Sequence, residues 1–583
     1  MIDFQQPTPD VDTKGESDGP SEQAWDHEDE DDSSSEYSTD GEYTNLPKVT
    51  LTSLTETGQD ESTIPVLDQR SFTGIQVISS VLADTLCADL GVDGVLKKLN
   101  TTLGTSYNLD SVISILEPYI AQNVDFGTAY AYLRPDWDDI PNIAHRLRTL
   151  EVEDREMRQN VLTDGLIADP DMDPRRVWDL YANRVVPYWV ASLRMFQRPW
   201  AISHAWVDEK ERVDVMSPIN GCEWPVPMPK DANLDLIRIE MLNARSNRGL
   251  QAEYVWLDVL CLRQEGGKNE HLRLDEWKLD VPTIGAVYEQ AYARVVYYFN
   301  GLGRPLYLTP GYFESDRCWF RRAWTLQEMT MTPIIAGVTG KDVMDTPVQM
   351  RFHKELKSFQ RVPASTSIFH YVSDMRIRIS TKPLDKVAGL VYLLHPDVIP
   401  IYDAKQSSEE AWEALMDVME SHYQVQLLFL YPEPGDGKKR WRPSWQQVMS
   451  NRIVVPLYRF IYKFNRTEDP DIYCYMGYCI KSGTVRGLGE VPNEPMPRQG
   501  EVDINDDNGA PHTLKIIADH MHPIPDGIYT LLGCSGSFRP DRWVVGQIRQ
   551  DGRVEKLSVF CSADDEVHLC SLELDNEVET FLC

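Results

Sequence analysis

Cysteine is scarce in this chain, with ten in 583 residues. So low a density excludes the disulfide framework of a small secreted protein, and we expect reduced thiols. Cys474 with Cys479, and Cys561 with Cys570, lack the short spacing of zinc knuckles, and no histidine pair completes a tetrahedral set. The sequence therefore predicts buried thiols and no metal site.

Long apolar runs are also missing. No uncharged stretch reaches the roughly 18 apolar residues that a membrane span needs. The first residues, MIDFQQP, lack the basic start and apolar run of a signal peptide. These absences predict a cytoplasmic protein with no membrane span.

Positive charge is in short supply, because 57 Lys and Arg stand against 91 Asp and Glu, a net charge of -34. Such a chain is unsuited to nonspecific binding of nucleic acid or of an anionic membrane, since both require a cationic surface. Residues 1–45 hold 15 acidic residues and one lysine. Residues 1–70 are therefore predicted to form a disordered acidic tail that continues, from residue 46, as a polar linker.

The rest of the chain has the composition of a globular protein, at 42% hydrophobic and 10% aromatic residues. Its length indicates more than one domain. Apolar residues recur at helical spacing from Ile75 to Leu90 and from Val112 to Ile120, and Asp173-Pro174 is a typical helix start. Residues 71–198 are therefore predicted to be a helical region.

Strand and helix patterns alternate after residue 199. This alternation predicts an α/β core, with a parallel sheet, helices on both faces and ligands at the carboxyl ends of the strands. The predicted strands are 200–203, 254–262, 294–299 and 333–338. The predicted domains after the helical region are the core (199–345), a helical extension (346–449) and a β-rich carboxyl-terminal domain (450–583).

Two segments of the core combine apolar and polar residues in a way that suggests a site. Residues 254–264, YVWLDVLCLRQ, read as a buried strand that carries a carboxylate, a thiol and an amide. Unpaired buried polar groups cost roughly 2–7 kcal/mol, so these groups need partners or a cleft. Residues 317–328, RCWFRRAWTLQE, read as a helix rich in aromatic rings and arginine.

These segments resemble parts of the fungal heterokaryon-incompatibility (HET) domain, and the order and spacing fit over residues 199–445. The matching elements are WAISHAW at 200–206, YVWLDVLCLRQ at 254–264, YEQAYARVVYY at 288–298, RCWFRRAWTLQE at 317–328, RISTKPLDKV at 378–387 and WRPSW at 441–445. The chain departs at His204-Ala205 and Val387-Ala388, where many members carry tyrosine. The resemblance implies non-self recognition and programmed cell death in a filamentous fungus, with protein partners and self-association.

The alternating core is also distantly similar to the TIR domain, a flavodoxin-like fold used in cell-death signalling. Enzymatic TIR domains cleave the nicotinamide–ribose bond of NAD with the glutamate of a Trp-x-x-x-Glu motif, and Trp324 to Glu328 has that spacing. The resemblance implies that Glu328 is catalytic and that NAD is a substrate rather than a resident cofactor. The alternative is that Glu328 pairs with Arg321 or Arg322, or caps the helix.

Other polar and aromatic residues are candidates for ligand contact. Asp258 would orient a ligand hydroxyl or pair with an arginine such as Arg322. Cys261 would act as a nucleophile with His204 or His271 as base, or would be a buried thiol. The tryptophans would stack on a ligand ring or pack in the core. The ligand-binding candidates are Ser203, His204, Trp206, Asp258, Cys261, Gln264, Arg322, Trp324 and Gln327.

Two classes of function remain open at this stage. The core is either an enzyme that cleaves NAD or a related nucleotide, or a non-enzymatic adaptor that self-associates and signals through partners. The sequence lacks the ankyrin, WD40 or nucleotide-binding oligomerisation repeats that accompany some HET proteins, so it does not indicate the trigger.

Overall fold

The computed structural model describes residues 46–583 except 194–197, 248, 341–343, 359–366, 395, 438, 451–463, 468, 470–471, 491–495, 506–507, 535–541 and 564–577. The predicted acidic tail (1–45) and Cys570 lie outside the described residues. The helices are α1 Ser53–Thr57, α2 Ser80–Ala83, α3 Cys87–Leu103, α4 Leu109–Ala121, α5 Phe126–Leu133, α6 Ile140–Asn160, α7 Tyr188–Ser192, α8 Leu234–Asn243, α9 Asp258–Cys261, α10 Arg273–Asp280, α11 Ile284–Ala291, α12 Thr346–Ser358, α13 Ile368–Arg376, α14 Leu384–Val391, α15 Ser408–Val418, α16 Ser421–Leu430 and α17 Trp445–Ser450.

The strands alternate with these helices up to residue 400, and from residue 464 onwards the described elements are all strands. They are β1 Lys48–Thr52, β2 Ser71–Ile75, β3 Leu162–Thr163, β4 Leu166–Ile167, β5 Arg176–Asp179, β6 Arg184–Pro187, β7 Trp200–His204, β8 Arg212–Val215, β9 Val226–Pro229, β10 Tyr254–Trp256, β11 Val295–Tyr298, β12 Ile334–Ile335, β13 Ile399–Pro400, β14 Phe464–Arg466, β15 Tyr473–Arg486, β16 Arg498–Asn505, β17 Pro511–Ala518, β18 Gly527–Cys534, β19 Arg542–Ile548, β20 Val554–Ser562 and β21 Val578–Leu582.

The segment 46–70, expected to be a polar linker, is folded. Its strand β1 pairs antiparallel with β2, and Leu51 and Ile64 are buried in the main hydrophobic core. The Gln69 side-chain amide donates hydrogen bonds to the Glu240 carboxylate at 2.7 Å and to the Gly303 carbonyl at 3.0 Å. The polar composition was misleading because a few well-spaced apolar residues and one buried amide are enough to anchor the segment.

The helical prediction for 71–198 is correct for its first part and wrong for its end. Helices α2 to α6 pack around a separate apolar cluster, and Val112 and Leu116 are fully buried as their spacing predicts. The helix predicted from Asp173-Pro174 is instead the antiparallel pair of β5 and β6. The buried ion pair between Arg134 and Asp179, at 2.8 Å, holds the end of β5.

A six-stranded mixed sheet has the strand order β12-β11-β7-β10-β5-β6. Strands β12, β11, β7 and β10 are parallel, whereas β5 and β6 are antiparallel at one edge. In chain order, the four parallel strands take the spatial order second, first, third, fourth. All five residues of β7 are buried, as expected for a central strand covered on both faces.

The long strand predicted at 254–262 ends early. Strand β10 stops at Trp256, and Asp258 begins the single turn of α9, in which its carboxylate accepts a hydrogen bond from the Val259 amide at 2.7 Å. Asp258 and Cys261 therefore lie in a helical turn just beyond the strand. An aspartate at a helix start is favourable because its side chain satisfies an amide that has no partner within the helix.

The aromatic helix predicted at 317–328 is absent from the described structure of that segment. Two short 3₁₀ turns, Trp319–Arg321 and Trp324–Leu326, replace it, with Arg322 extended between them. Residues distant in sequence cause this break. The Ile379 carbonyl accepts from the Ala323 amide at 2.9 Å, and the Arg378 guanidinium donates to the Arg322 carbonyl at 2.7 Å. A continuous helix would need those backbone groups for itself.

The carboxyl-terminal part is β-rich, as predicted. Strands β14 to β21 form one large, mainly antiparallel sheet, and its buried residues make two apolar clusters. Among the described helices, none has the length and apolar character required to cross a membrane.

Candidate functional site

A cleft of about 600 Å³ lies where β7 and β10 end. The carboxyl ends of parallel strands are where α/β sheets bind ligands. Predicted site residues account for much of its lining: His204, Trp206, Asp258, Gln264, Arg322, Trp324 and Glu328. The sheet thus brings together residues that are more than 100 positions apart in the chain.

Glu328 is a buried residue at the wall of this cleft. Its Oε2 accepts a hydrogen bond of 2.5 Å from the Ser203 hydroxyl, which itself accepts one of 2.7 Å from Trp319 Nε1. The Tyr297 hydroxyl donates to the Glu328 backbone carbonyl at 2.6 Å. Ser203 and Trp319 therefore fix the carboxyl group of Glu328, and Tyr297 fixes its backbone.

The partner of Glu328 is a hydroxyl rather than a cation. Among the described residues, no basic side chain lies within 4.0 Å of its carboxylate. Of the two expected alternative partners, Arg321 faces Asp316 at 3.7 Å and Arg322 lies over the Trp206 ring. Burial raises the pKa of Glu328 to about 7, against the opposing influence of the Ser203 hydrogen bond and the Arg322 charge. A carboxyl group that titrates near neutrality and faces a cleft is suited to chemistry.

His204 and Asp258 form a second polar pair in the cleft. His204 Nε2 donates to Asp258 Oδ1 at 2.9 Å, since a carboxylate is only an acceptor. Burial opposes ionisation of Asp258, but the neighbouring His204 and the Val259 amide outweigh it and lower the pKa of this carboxyl. Asp258 therefore stays ionised, and its partner is a histidine rather than the arginine considered from sequence.

Trp206 is surrounded by basic groups. The guanidinium carbons of Arg212 and Arg322 lie 5.4 Å and 5.5 Å from the centroid of its ring, and the His204 ring centroid lies at 5.6 Å. Burial lowers the pKa of Arg322, although the charges of Glu328 and Asp258 oppose that change. This end of the cleft combines an aromatic surface with positive charge.

Three of the predicted site residues do not line the cleft. Ser203 lies behind Glu328 as its hydrogen-bond donor. Cys261 is 1% exposed and burial raises its pKa to about 12, so a thiolate nucleophile is disfavoured. Gln327 is buried, and neither atom of its amide has a partner among the described residues. Gln264 does line the cleft, and its amide donates to the Leu262 carbonyl at 2.8 Å.

Sequence reasoning missed one wall of the cleft. Lys382 and Asp385 line it together with Tyr402, whose hydroxyl donates to Asp385 at 2.9 Å. Tyr288 and Arg212 also line it. The signal was available in part, because Lys382 and Asp385 belong to the RISTKPLDKV segment and Tyr288 begins YEQAYARVVYY. No role had been assigned to either segment.

Five of the quoted sequence elements contribute lining residues, and only WRPSW at 441–445 does not. In the part of the chain that the structure describes, no group of three or more His, Cys, Asp or Glu side chains is arranged to hold a metal ion. Comparisons of the chain with protein-family models, with curated proteins and with solved structures find no match in any of the three.

Proposed function

We propose that this chain is a heterokaryon-incompatibility-type protein whose core cleaves the nicotinamide–ribose bond of NAD or a related nucleotide. The observation that carries the proposal is the position of Glu328. Its carboxyl group lies in a cleft at the carboxyl ends of parallel strands, is held by Ser203, and has a pKa of about 7.

The chemistry needs one well-placed carboxylate. Nicotinamide leaves with the electron pair of the C–N bond and becomes neutral, so no acid has to protonate it. The ribose is left as an oxocarbenium ion, which the negative charge of Glu328 stabilises. Water then adds to C1′ and gives up a proton, so that NAD and water yield ADP-ribose, nicotinamide and a proton.

Glycosidases with poorer leaving groups need two carboxylates, an acid and a base or nucleophile. Here Asp258 is available for another task, because it stays ionised and lies in the same cleft. We propose that Asp258 binds the ribose hydroxyls, because a carboxylate accepts hydrogen bonds from hydroxyl groups. The aromatic ring of Trp324 offers a flat apolar surface for a base.

The arrangement of the sheet supports the resemblance to TIR domains. The spatial order second, first, third, fourth for the parallel strands is the beginning of the flavodoxin-like order, in which ligands bind beside the first strand. Here β7 is that first strand, and its last residues are Ser203 and His204. The convergence of five HET-like segments on one cleft supports a shared function for them.

In this proposal the protein acts in the cytoplasm of a fungal cell, in the cell-death response that follows fusion of incompatible cells. Protein partners, or self-association, would switch the core on. The alternative, an adaptor without enzymatic activity, predicts signalling that does not depend on the charge of Glu328.

The test is release of nicotinamide from NAD by the purified full chain, measured by chromatography at pH 8, with and without a crowding agent that promotes assembly. Glu328→Gln keeps the shape and the acceptor for Ser203 but removes the charge, and it should lower the rate by about 100-fold or more. Glu209→Gln is the matched control, since Glu209 lines the same cleft but is exposed to water. Equal rates for wild type and Glu328→Gln, or no release under either condition, would refute the proposal.

A further inference from the structure

The cleft contains basic side chains of two kinds. Arg317 is neutralised, because its Nε donates to Asp208 at 2.7 Å. Arg212 and Arg322 are not neutralised: within the described parts of the chain, neither guanidinium has an ion-pair partner within 4.0 Å or donates to a side-chain or backbone acceptor. Both line the cleft.

Both guanidinium groups lie near the ring of Trp206. The guanidinium carbon lies 5.4 Å from the ring centroid in Arg212 and 5.5 Å in Arg322. The two carbons are therefore no farther apart than the sum of these two distances. Two like charges near one ring repel each other, and the ring's negative face offsets this only in part. An anion between them would remove the repulsion.

The donors of the two side chains are also free for a ligand. A guanidinium carries five N–H donors in a planar fork that matches the oxygens of a phosphate. Arg322 is only partly exposed, and burial lowers its pKa while the charges of Glu328 and Asp258 oppose that change. A partly buried cation without a hydrogen-bond partner lowers the stability of the protein. Such unfavourable groups are expected at functional sites, where a ligand supplies the missing hydrogen bonds.

We propose that Arg212, Arg322 and Trp206 form a phosphate subsite that binds the diphosphate of a dinucleotide. This inference rests on the proposed function for its choice of ligand, and it names the part of the substrate that the cleft selects. Glu328 and Asp258 lie near Arg322 and repel anions, so the phosphates occupy the Trp206 end and the ribose faces the carboxylates. Substrates without phosphate, such as a nicotinamide nucleoside, are then bound weakly.

The subsite is tested by calorimetry on the full chain, with inorganic pyrophosphate and ADP-ribose as probes. Arg212→Gln and Arg322→Gln should each weaken ADP-ribose binding by about tenfold or more. The wild-type affinity should also fall as salt rises from about 50 to about 200 mM, because salt screens the attraction between the arginines and the phosphates. Arg317→Gln is the matched control, because its charge is already paired, and its affinity should stay within about threefold of wild type.

A melting curve for each variant shows that it is folded, and Arg322→Lys, which keeps the charge, should recover part of the affinity lost in Arg322→Gln. Three results would refute the subsite: wild-type protein that binds neither probe, Arg212→Gln and Arg322→Gln that bind like wild type, or Arg317→Gln that binds as weakly as those two variants.

The proposed function can fail independently of the subsite. Arginine-dependent binding without release of nicotinamide would support the phosphate subsite and refute the enzymatic activity. Release of nicotinamide by Arg322→Gln with an unchanged KM would support the activity and refute the subsite.

Discussion

Glu328 is a buried carboxyl group that no cation neutralises among the described residues, and this has consequences that can be measured. Its pKa is raised by burial to about 7, from an ordinary value of 4.5. The folded protein therefore holds a proton on Glu328 between these two pH values, where the unfolded chain has lost it. The contribution of this group to stability is complete below about pH 4.5 and is lost as the pH rises to about 7.

Replacing Glu328 with glutamine should therefore stabilise the protein in alkaline solution. With this pKa shift, wild type loses about 2–3 kcal/mol of unfolding free energy between pH 5 and pH 8 through the ionisation of Glu328. Glutamine does not ionise, so the variant avoids this loss. We expect the free energy of unfolding of Glu328→Gln, relative to wild type, to be greater at pH 8 than at pH 5 by roughly that amount. Urea denaturation at both pH values measures it. An equal difference at the two pH values would mean that Glu328 titrates normally.

The sequence motifs were enough to predict site roles for Glu328, Trp324, Asp258 and Trp206, because short-range patterns mark residues that do not fit simple core packing. They were insufficient to identify the partners of these residues. Ser203 lies 125 residues before Glu328, and His204 lies 54 residues before Asp258. Such contacts depend on strand order, which periodicity alone does not determine.

At the scale of the elements, the segment 317–328 is the clearest failure of local reasoning. Its spacing of aromatic and basic residues predicts a helix, and local propensity does favour one. Tertiary contacts override that preference, since Arg378 and Ile379 bond to its backbone at Arg322 and Ala323. The strands β7 and β11 were easier to predict, because continuous apolar runs of this kind are typical of buried parallel strands.

Arg378 should therefore be important for activity although it does not line the cleft. Its guanidinium donates to the Arg322 carbonyl and to Thr325 Oγ1, both at 2.7 Å, and so holds the segment that carries Glu328. Arg378→Met removes both bonds and leaves only the bond of 2.9 Å from Thr325 Oγ1 on the Arg322 carbonyl. We expect a loss of about 1–3 kcal/mol in stability and a fall in kcat of about tenfold or more. Urea denaturation and nicotinamide release measure the two effects.

Arg376→Met provides the comparison for Arg378. Arg376 is two residues away, and its guanidinium donates to the Val448 carbonyl, which is not part of the cleft. This variant should lose stability and keep its kcat. If both variants lose kcat to the same extent, the effect of Arg378 comes from general destabilisation and not from its bonds to the 3₁₀ segment.

For the whole molecule, the sequence predicted the class of each region better than it predicted which regions contribute to the cleft. The β-rich carboxyl-terminal region and the α/β core were both expected, because alternating and short-strand patterns distinguish them. The cleft was not expected to use residues 379–402, since these belong to a segment that reads as a helical extension. Helical periodicity shows which face is apolar, but not which loop beside the helix faces a ligand.

The acidic residues 1–45 should be dispensable for folding and for the cleft. They carry 15 acidic residues and few aliphatic ones, so they have little apolar surface to contribute to a core. A chain that begins at Leu46 should melt within about 2–4 °C of the full chain and release nicotinamide at a similar rate. Differential scanning calorimetry measures the first. A larger fall in melting temperature would show that the tail contributes to the folded structure.

In the proposed function, the charge of Glu328 drives cleavage of a nucleotide, and this cleavage causes cell death. The most direct test of this proposal is to express wild type, Glu328→Gln and Glu209→Gln in fungal cells at equal protein levels, and to follow NAD content and viability together. We expect NAD to fall before viability with wild type and Glu209→Gln, and both to stay high with Glu328→Gln. Death with undiminished NAD, or killing by Glu328→Gln at the wild-type rate, would contradict it and favour an adaptor.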